Sequence, residues 1–305
     1  MNNPHLLKNL VSAWSKRAAV RHVDMVQVEM DGGSDLPDYP LEMLPFHDHP
    51  LFASRSLQER NAVLTLAWLA YNVRVIHIEE QVTNPAIAMI LQGNLPGGAT
   101  RDARQALQQT QIDEQFHLFL HEIAIHKTMA LRNIATLPVF PESVIYHELV
   151  KLQEDNPEPW QRDLLTLIWA AVSEMTINAY LELLADDQTI QPRHAYICKI
   201  HNRDEYSHNK IFVEISKSVF SGLNEQQQDF FLEKFPMALD FFAGQDFSVW
   251  HSILKQAGIP SADQIIADTI ARSSTRKLIS DISAARGLIA DLAAMKRETV
   301  ITDAA

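Results

Sequence analysis

From Ser56 onward, apolar residues recur at spacings of three and four almost without interruption, the pattern of helices that bury one face. The run "SLQERNAVLTLAWLAYNVRVIHIEEQV" opens on a Ser able to cap it. Asn84-Pro85 is expected to kink or end that helix, because Pro removes a backbone donor. A second long helix is predicted over about residues 100–133, a shorter one after "LPVFPES", and two more over about 157–187 and 192–222. "NEQQQDFFLEKFPMALDFFAGQDFSVWHSILKQ" reads as helix with a Pro-induced break, and about 262–297 as one or two further helices. Residues 24–55, with "DGGSDLPDYP" and several prolines, read as an irregular wrap over the surface of the helices beyond them. No strand alternation of useful length occurs.

The expectation is therefore one all-α domain over 1–305. In it, 1–55 is a partly irregular N-terminal wrap, 57–222 is a core bundle built on the four longest helices, and 223–305 supplies additional packing helices.

Composition narrows the functional classes. The chain of 305 residues is 47% hydrophobic with 9 glycines, enough material for a substantial core and incompatible with disorder. A formal net charge of −12 argues against nucleic acid and anionic lipid as partners and favours a small molecule or a protein. The lone Cys198 cannot close an internal disulfide, so a reducing compartment, the cytoplasm, is expected. Lys8, Lys16, Arg17 and Arg21 precede any acid and superficially resemble a transit peptide. Without a Ser-rich continuation, the helical spacing of residues 5–20 reads as an ordinary first helix.

The stretch Leu164–Leu184 is nearly long and apolar enough to cross a bilayer, but it contains Glu174, Asn178 and Glu182. It reads as a buried bundle helix, and that raises a question about Glu174. An unpaired buried charge costs several kcal/mol, so something must compensate it.

The compensation is suggested by a repeat. "DEQFH" at 113–117 and "DEYSH" at 204–208 each place a Glu and a His three residues apart, about 60° around a helix, where both reach one metal. Each copy follows a helix carrying a carboxylate in an apolar setting. Glu79 or Glu80 lies some 35 residues before Glu114, and Glu174 lies 31 before Glu205. Two Glu-x-x-His pairs plus one Glu from each of two other helices form the recurring ligand set of dinuclear carboxylate sites in four-helix bundles. Four carboxylates gathered in an apolar bundle are expected to have raised pKa values, which two divalent ions would relieve. Oxygen and nitrogen donors without thiolate suit iron or manganese. Asp113 and Asp204 are placed to accept from the far nitrogen of a ligand histidine, across the pseudo-twofold.

Taking His201 as zero, Glu205 lies near +40° and His208 near −20° at about 100° per residue, so His201 can be a seventh ligand. The first copy has Thr110 in that place. His121 shares the face of Glu114 and reads as a packed or hydrogen-bonded residue behind a ligand, since the second copy has Phe212 there. "HEIAIH" is not a zinc-protease helix, because its histidines are five apart and about 140° around the helix.

With these elements in view, "DYPLEMLPFHDHPLF", "YNVRVIHIEEQV", "DEQFH", "SEMTINA" and "HNRDEYSH" together resemble, in order and spacing, the AurF-type family of dinuclear iron N-oxygenases. His-x-x-x-Glu-x-x-His is the most specific mark of that resemblance. It implies Glu79, Glu114, His117, Glu174, His201, Glu205 and His208 as metal ligands, with the match of "YNVRVIHIE" selecting Glu79 over Glu80. His201 and Glu205 are expected to bear most directly on catalysis.

The resemblance further implies a ferritin-like bundle and two iron ions, with manganese as an alternative. Its reaction would use O2, pass through a peroxo-bridged diferric species and oxidise a primary amine to a hydroxylamine, nitroso or nitro product. Tyr71, Arg74 and Asn178 match positions near the amine pocket. Asn178 shares the face of Glu174, whereas Arg74 lies about 140° from Glu79, a phase that also suits a surface or interhelix position. The amine is expected free or on a carrier protein, the electrons from a separate reductase since no dinucleotide fingerprint is present, and the assembly is expected to be a homodimer. The rival readings are a diiron carbon hydroxylase or desaturase and, in another class, a ferritin-like iron-binding or ferroxidase protein.

Overall fold

The computed structural model describes residues 4–29, 35–272, 278–279 and 281–303. Three helices open the chain: α1 (Pro4–Arg17), α2 (Ala19–His22) and α3 (Met25–Glu29). After a 3-10 turn at Leu41–Met43 come α4 (Pro50–Ala53) and α5 (Leu57–Ile78), then a π-helical turn (Glu79–Thr83) and α6 (Asn84–Gln92). The long helices α7 (Arg101–Arg132), α9 (Pro159–Ala185) and α10 (Pro192–Ser221) follow, with α8 (Val144–Asp155) between the first two. The last elements are α11 (Glu225–Ala243), α12 (Phe247–Gln256), α13 (Ala262–Arg272) and α14 (Ser283–Asp303). The fold is all-α and ferritin-like, and the described residues contain no strand element.

Local chemistry explains the helix ends. Ser56 and Glu59 form a reciprocal capping box at the start of α5, Thr100 caps α7 through Ala103 N–H, and α9 and α10 begin with Pro in the first turn, where no donor is lost. Asn133, in left-handed conformation at φ 55°, ends α7. α5, α7, α9 and α10 pack as the central bundle, with α9 against α10, α5 against α7, and α7 against α10. α9 is long and apolar enough to span a membrane, yet most of it is buried against α8, α10, α11 and α14.

Of the kink or end expected at Asn84-Pro85, the structure excludes the end: the helix does not stop there. Asn84 N–H reaches back to Glu79 O, a π-type bond that inserts one residue into the helix, and Pro85 then occupies the first turn of α6. Nor does Pro236 break α11, which loses one backbone bond there while Phe231, Phe235, Ala238 and Phe242 hold it in the core. The chain leaves helical geometry only at Gly244, and Asp246 caps the next helix.

The N-terminal wrap is less irregular than expected at α3 and α4, and its residues 30–34 lie outside the described residues. Asp38 fastens it: the carboxylate accepts from Thr65 of α5 (2.6 Å), Arg132 of α7 (2.8 and 3.1 Å) and His194 of α10 (3.1 Å).

Candidate metal centre

Helix phase sets the site. α7 turns Glu114 and His117 inward, α10 does the same for His201, Glu205 and His208, and α9 contributes Glu174. The π-helical turn presents Glu79 to the interior and leaves Glu80 exposed. Seven buried side chains thereby form two groups of mutually close donor atoms, Glu79, His117 and His201 in one and Glu114, Glu174, Glu205 and His208 in the other. Glu205 Oε1 joins them, lying 3.3 Å from His117 Nδ1, 3.3 Å from His201 Nε2 and 3.1 Å from His208 Nδ1. Glu114 also spans both groups, with Oε2 3.7 Å from His117 Nδ1 and Oε1 2.8 Å from His208 Nδ1.

These atoms approach one another without satisfying one another. Glu79 Oε2, both oxygens of Glu114, His117 Nδ1, Glu174 Oε2 and Glu205 Oε2 are buried and have no hydrogen-bond partner among the described residues. Even the short approach of Glu114 Oε1 to His208 is not aligned as a hydrogen bond. Unpaired buried polar atoms are costly, and their convergence is what a cation-binding pocket requires.

The electrostatics carry the same tension. Burial, then Glu114, pushes Glu79 well above the ordinary carboxylate range, and burial, then Glu205, does so for Glu174. Glu205 and Glu114 run the other way: burial opposes their ionisation, but nearby histidines, His208 foremost, outweigh it. The expectation of four raised carboxyls therefore holds for only two, because the imidazoles act as counter-charges to the pair at the centre.

Behind the two groups, each aspartate faces the histidine of the other helix. His117 Nε2 lies 3.4 Å from Asp204, and His208 Nε2 lies 3.2 Å from Asp113. The N-terminal segment completes this layer. Trp14 Nε1 donates to Asp113 at 2.9 Å, Ala19 N–H donates to Asp204 at 3.0 Å, and Arg17 Nη1 sits 3.8 and 3.6 Å from the two acids.

A cavity of about 470 Å³ opens onto the centre. Glu79, Glu174, His201 and Glu205 face it, together with Tyr71, Arg74 and Tyr180. Tyr71 stacks on Tyr180 with centroids 5.2 Å apart, and the Tyr180 hydroxyl meets that of Tyr39. Half-buried Arg74 has no carboxylate within ion-pair distance among the described residues.

Residues 1–293 match the family profile described as p-aminobenzoate N-oxygenase AurF. The chain is also 41% identical over 287 residues to a 4-aminobenzoate N-oxygenase of Streptomyces thioluteus, covering 94% of this chain and 85% of that one. The chain belongs to the AurF family. As a member it is an oxygenase, and its buried Glu and His groups could bind metal.

The structure gathers all seven candidate ligands that the AurF resemblance singled out and sets Asp113 and Asp204, read from the repeat, behind them. It brings Tyr71 and Arg74 to the cavity, because the cavity runs along α5. Asn178 is placed elsewhere: it does not line the cavity, and its amide donates to Asn202 Oδ1 at 2.7 Å and Asn202 O at 3.3 Å. Its face of α9 meets α10 one turn beyond Glu174. Thr83 was not anticipated. At the end of the π-helical turn its hydroxyl donates to Glu174 Oε1 at 3.0 Å. Trp14, Arg17 and Ala19 were also missed, since the contacts span 99 and 185 residues and leave no local pattern.

Proposed function

We propose that this protein is a dinuclear iron N-oxygenase of a carboxylate-bearing arylamine, 4-aminobenzoate or a near analogue. Glu79, His117 and His201 would hold one iron ion, Glu174 and His208 the other, with Glu114 and Glu205 shared between them. The donor set fits: unpartnered carboxylate oxygens and imidazole nitrogens, free of thiolate, suit iron, and manganese would compete for the same atoms. When bound, two iron ions supply the binding and reductive activation of O2 that transfer of oxygen to nitrogen requires.

The protein's own residues choose what is oxidised. Arg74 offers a guanidinium in a largely apolar cavity, the planar donor fork that a carboxylate accepts from bidentately. Arg74 and Glu79 both line the cavity. A substrate anchored at Arg74 would thus present its amine to the carboxylates and to His201. The stacked pair Tyr71 and Tyr180 would form one wall against the ring, and an arylamine, a weak base whose lone pair is conjugated with its ring, arrives neutral near neutral pH. Electrons would come from a separate donor, and the buried Cys198, whose thiol burial pushes up to about 12, stays protonated and takes no part. A homodimer in the cytoplasm is the expected setting.

One observation carries the reading: two adjoining groups of buried, unsatisfied donor atoms open on a cavity lined by Arg74, whose guanidinium has no carboxylate partner among the described residues. Reduced, iron-loaded protein incubated with O2 and a panel of amines, then analysed by mass spectrometry, tests it. Oxygen on the nitrogen of 4-aminobenzoate is expected; oxygen found only on carbon, or iron oxidised with no organic product, would overturn it.

A further inference from the structure

Behind His201, at Nδ1, no carboxylate stands among the described residues. His117 and His208 back onto Asp204 and Asp113, but His201 Nδ1 lies 2.8 Å from Nε2 of a fourth buried imidazole, His121. The other nitrogen of His121, Nδ1, lies 2.7 Å from Asn72 Oδ1. Asn72 Nδ2 in turn donates to Trp68 O at 2.7 Å. All four residues are essentially inaccessible to water.

The proton positions follow in order from the fixed end. A carbonyl can only accept, so the group of Asn72 facing Trp68 O is its NH2, and the group facing His121 is its oxygen. That oxygen requires an N–H at His121 Nδ1. A neutral His121 then presents a bare Nε2, which accepts from His201 Nδ1–H. The other nitrogen of His201, Nε2, lies 3.3 Å from both Glu79 Oε1 and Glu205 Oε1, and a neutral His201 with its proton on Nδ1 presents its lone pair there.

We propose that Asn72 and His121 are positioning residues that fix the tautomer and ring orientation of His201, aiming its Nε2 at the site it shares with Glu79 and His117. The aim at a metal rests on the dinuclear reading above; the proton order does not. Two imidazoles of the centre are backed by anions and the third by a neutral chain, so His201 is the least basic of the three donors. In the first Asp-Glu-x-x-His copy His121 stands seven residues after Glu114, and in the second the same place is Phe212, so the chain exists on one side of the pseudo-twofold only.

NMR of protein carrying isotope-labelled histidine, metal-free and zinc-loaded, reads which ring nitrogen bears each proton, with His121→Phe assigning the His121 signal. The expected result is a neutral His121 with its proton on Nδ1. A proton on Nε2, alone or with Nδ1, overturns the proposal. His121→Phe keeps the ring but removes the acceptor, and should weaken zinc and iron(II) binding about 10- to 100-fold. His121→Gln, whose amide oxygen can accept from His201, should recover most of that loss. Unchanged metal affinity in His121→Phe overturns the positioning role. Asn72→Leu provides the same test should His121→Phe fail to fold. Protein that shows the expected protons yet binds no metal would instead overturn the dinuclear reading.

Discussion

Trp14 Nε1 lies 2.9 Å from both carboxylate oxygens of Asp113, tying the first helix to the acid behind His208. A residue near the start of the chain thus helps orient a candidate ligand on α10. Trp14→Phe keeps most of the packing and deletes the donor. Partners of this kind are typically worth 10- to 100-fold in metal affinity, so iron(II) binding measured against a competing chelator should weaken by about 10-fold while helix content is unchanged. Wild-type affinity would show that Asp113 holds its place without Trp14.

Glu174 tests the ligand assignment itself. It is buried in the middle of α9, with Oε2 unpartnered and its pKa pushed well up by burial and Glu205. Glu174→Ala should reduce bound iron from two per chain toward one, as metal analysis of the purified protein would show. Because metal binds only the folded state, its removal by chelation should lower stability, by about 3 kcal/mol if the protein was loaded at a hundred times the dissociation constant. A Glu174→Ala protein with two tightly held irons would contradict the assignment.

Arg74 should govern affinity for the carboxylate end of the substrate more than the chemistry. A hydrogen bond to a charged group contributes about 1.5–3 kcal/mol, so Arg74→Met should raise KM for 4-aminobenzoate about 10- to 100-fold. An arylamine without a carboxylate should show little change. Equal losses for both amines would place Arg74 in a structural role.

Asp38 sets an acid limit on stability away from the centre. Burial opposes its ionisation, but hydrogen bonds from His194, Arg132 and Thr65 prevail and hold its pKa at about 2. A depressed carboxyl stabilises the fold above the unfolded-state value of about 3.9, and that contribution is lost as pH falls toward about 2. The contribution near neutrality is on the order of 2 kcal/mol. Denaturant unfolding of Asp38→Asn should therefore show a deficit at pH 7 that shrinks steadily below about pH 4. A deficit independent of pH would mean that shape, not charge, holds the wrap.

The two Asp-Glu-x-x-His copies were legible because an α-helix converts a spacing of three or four into a shared face, and α7 and α10 are regular through both. The choice between Glu79 and Glu80 was not legible from periodicity, since the π-helical turn shifts the phase at that point. Pro236 misled for a related reason: one missing backbone bond is a local penalty, and the aromatic side chains of α11 outweigh it through contacts that no local pattern records. Asn178 sat on the right face by phase but meets Asn202 before it could reach the cavity. What local sequence carries is helix phase; what it omits is which distant element lies opposite, as Trp14 and Ala19 demonstrate.

The central claim is that seven side chains from four segments of the bundle enclose a pair of iron ions. Anomalous diffraction at the iron edge, from crystals soaked in ferrous salt under reducing conditions, measures this directly. Two adjacent peaks are expected, one touching Glu79, His117 and His201, the other Glu174 and His208, with Glu114 and Glu205 between them. No peak there, or iron bound only elsewhere on the protein, would contradict it.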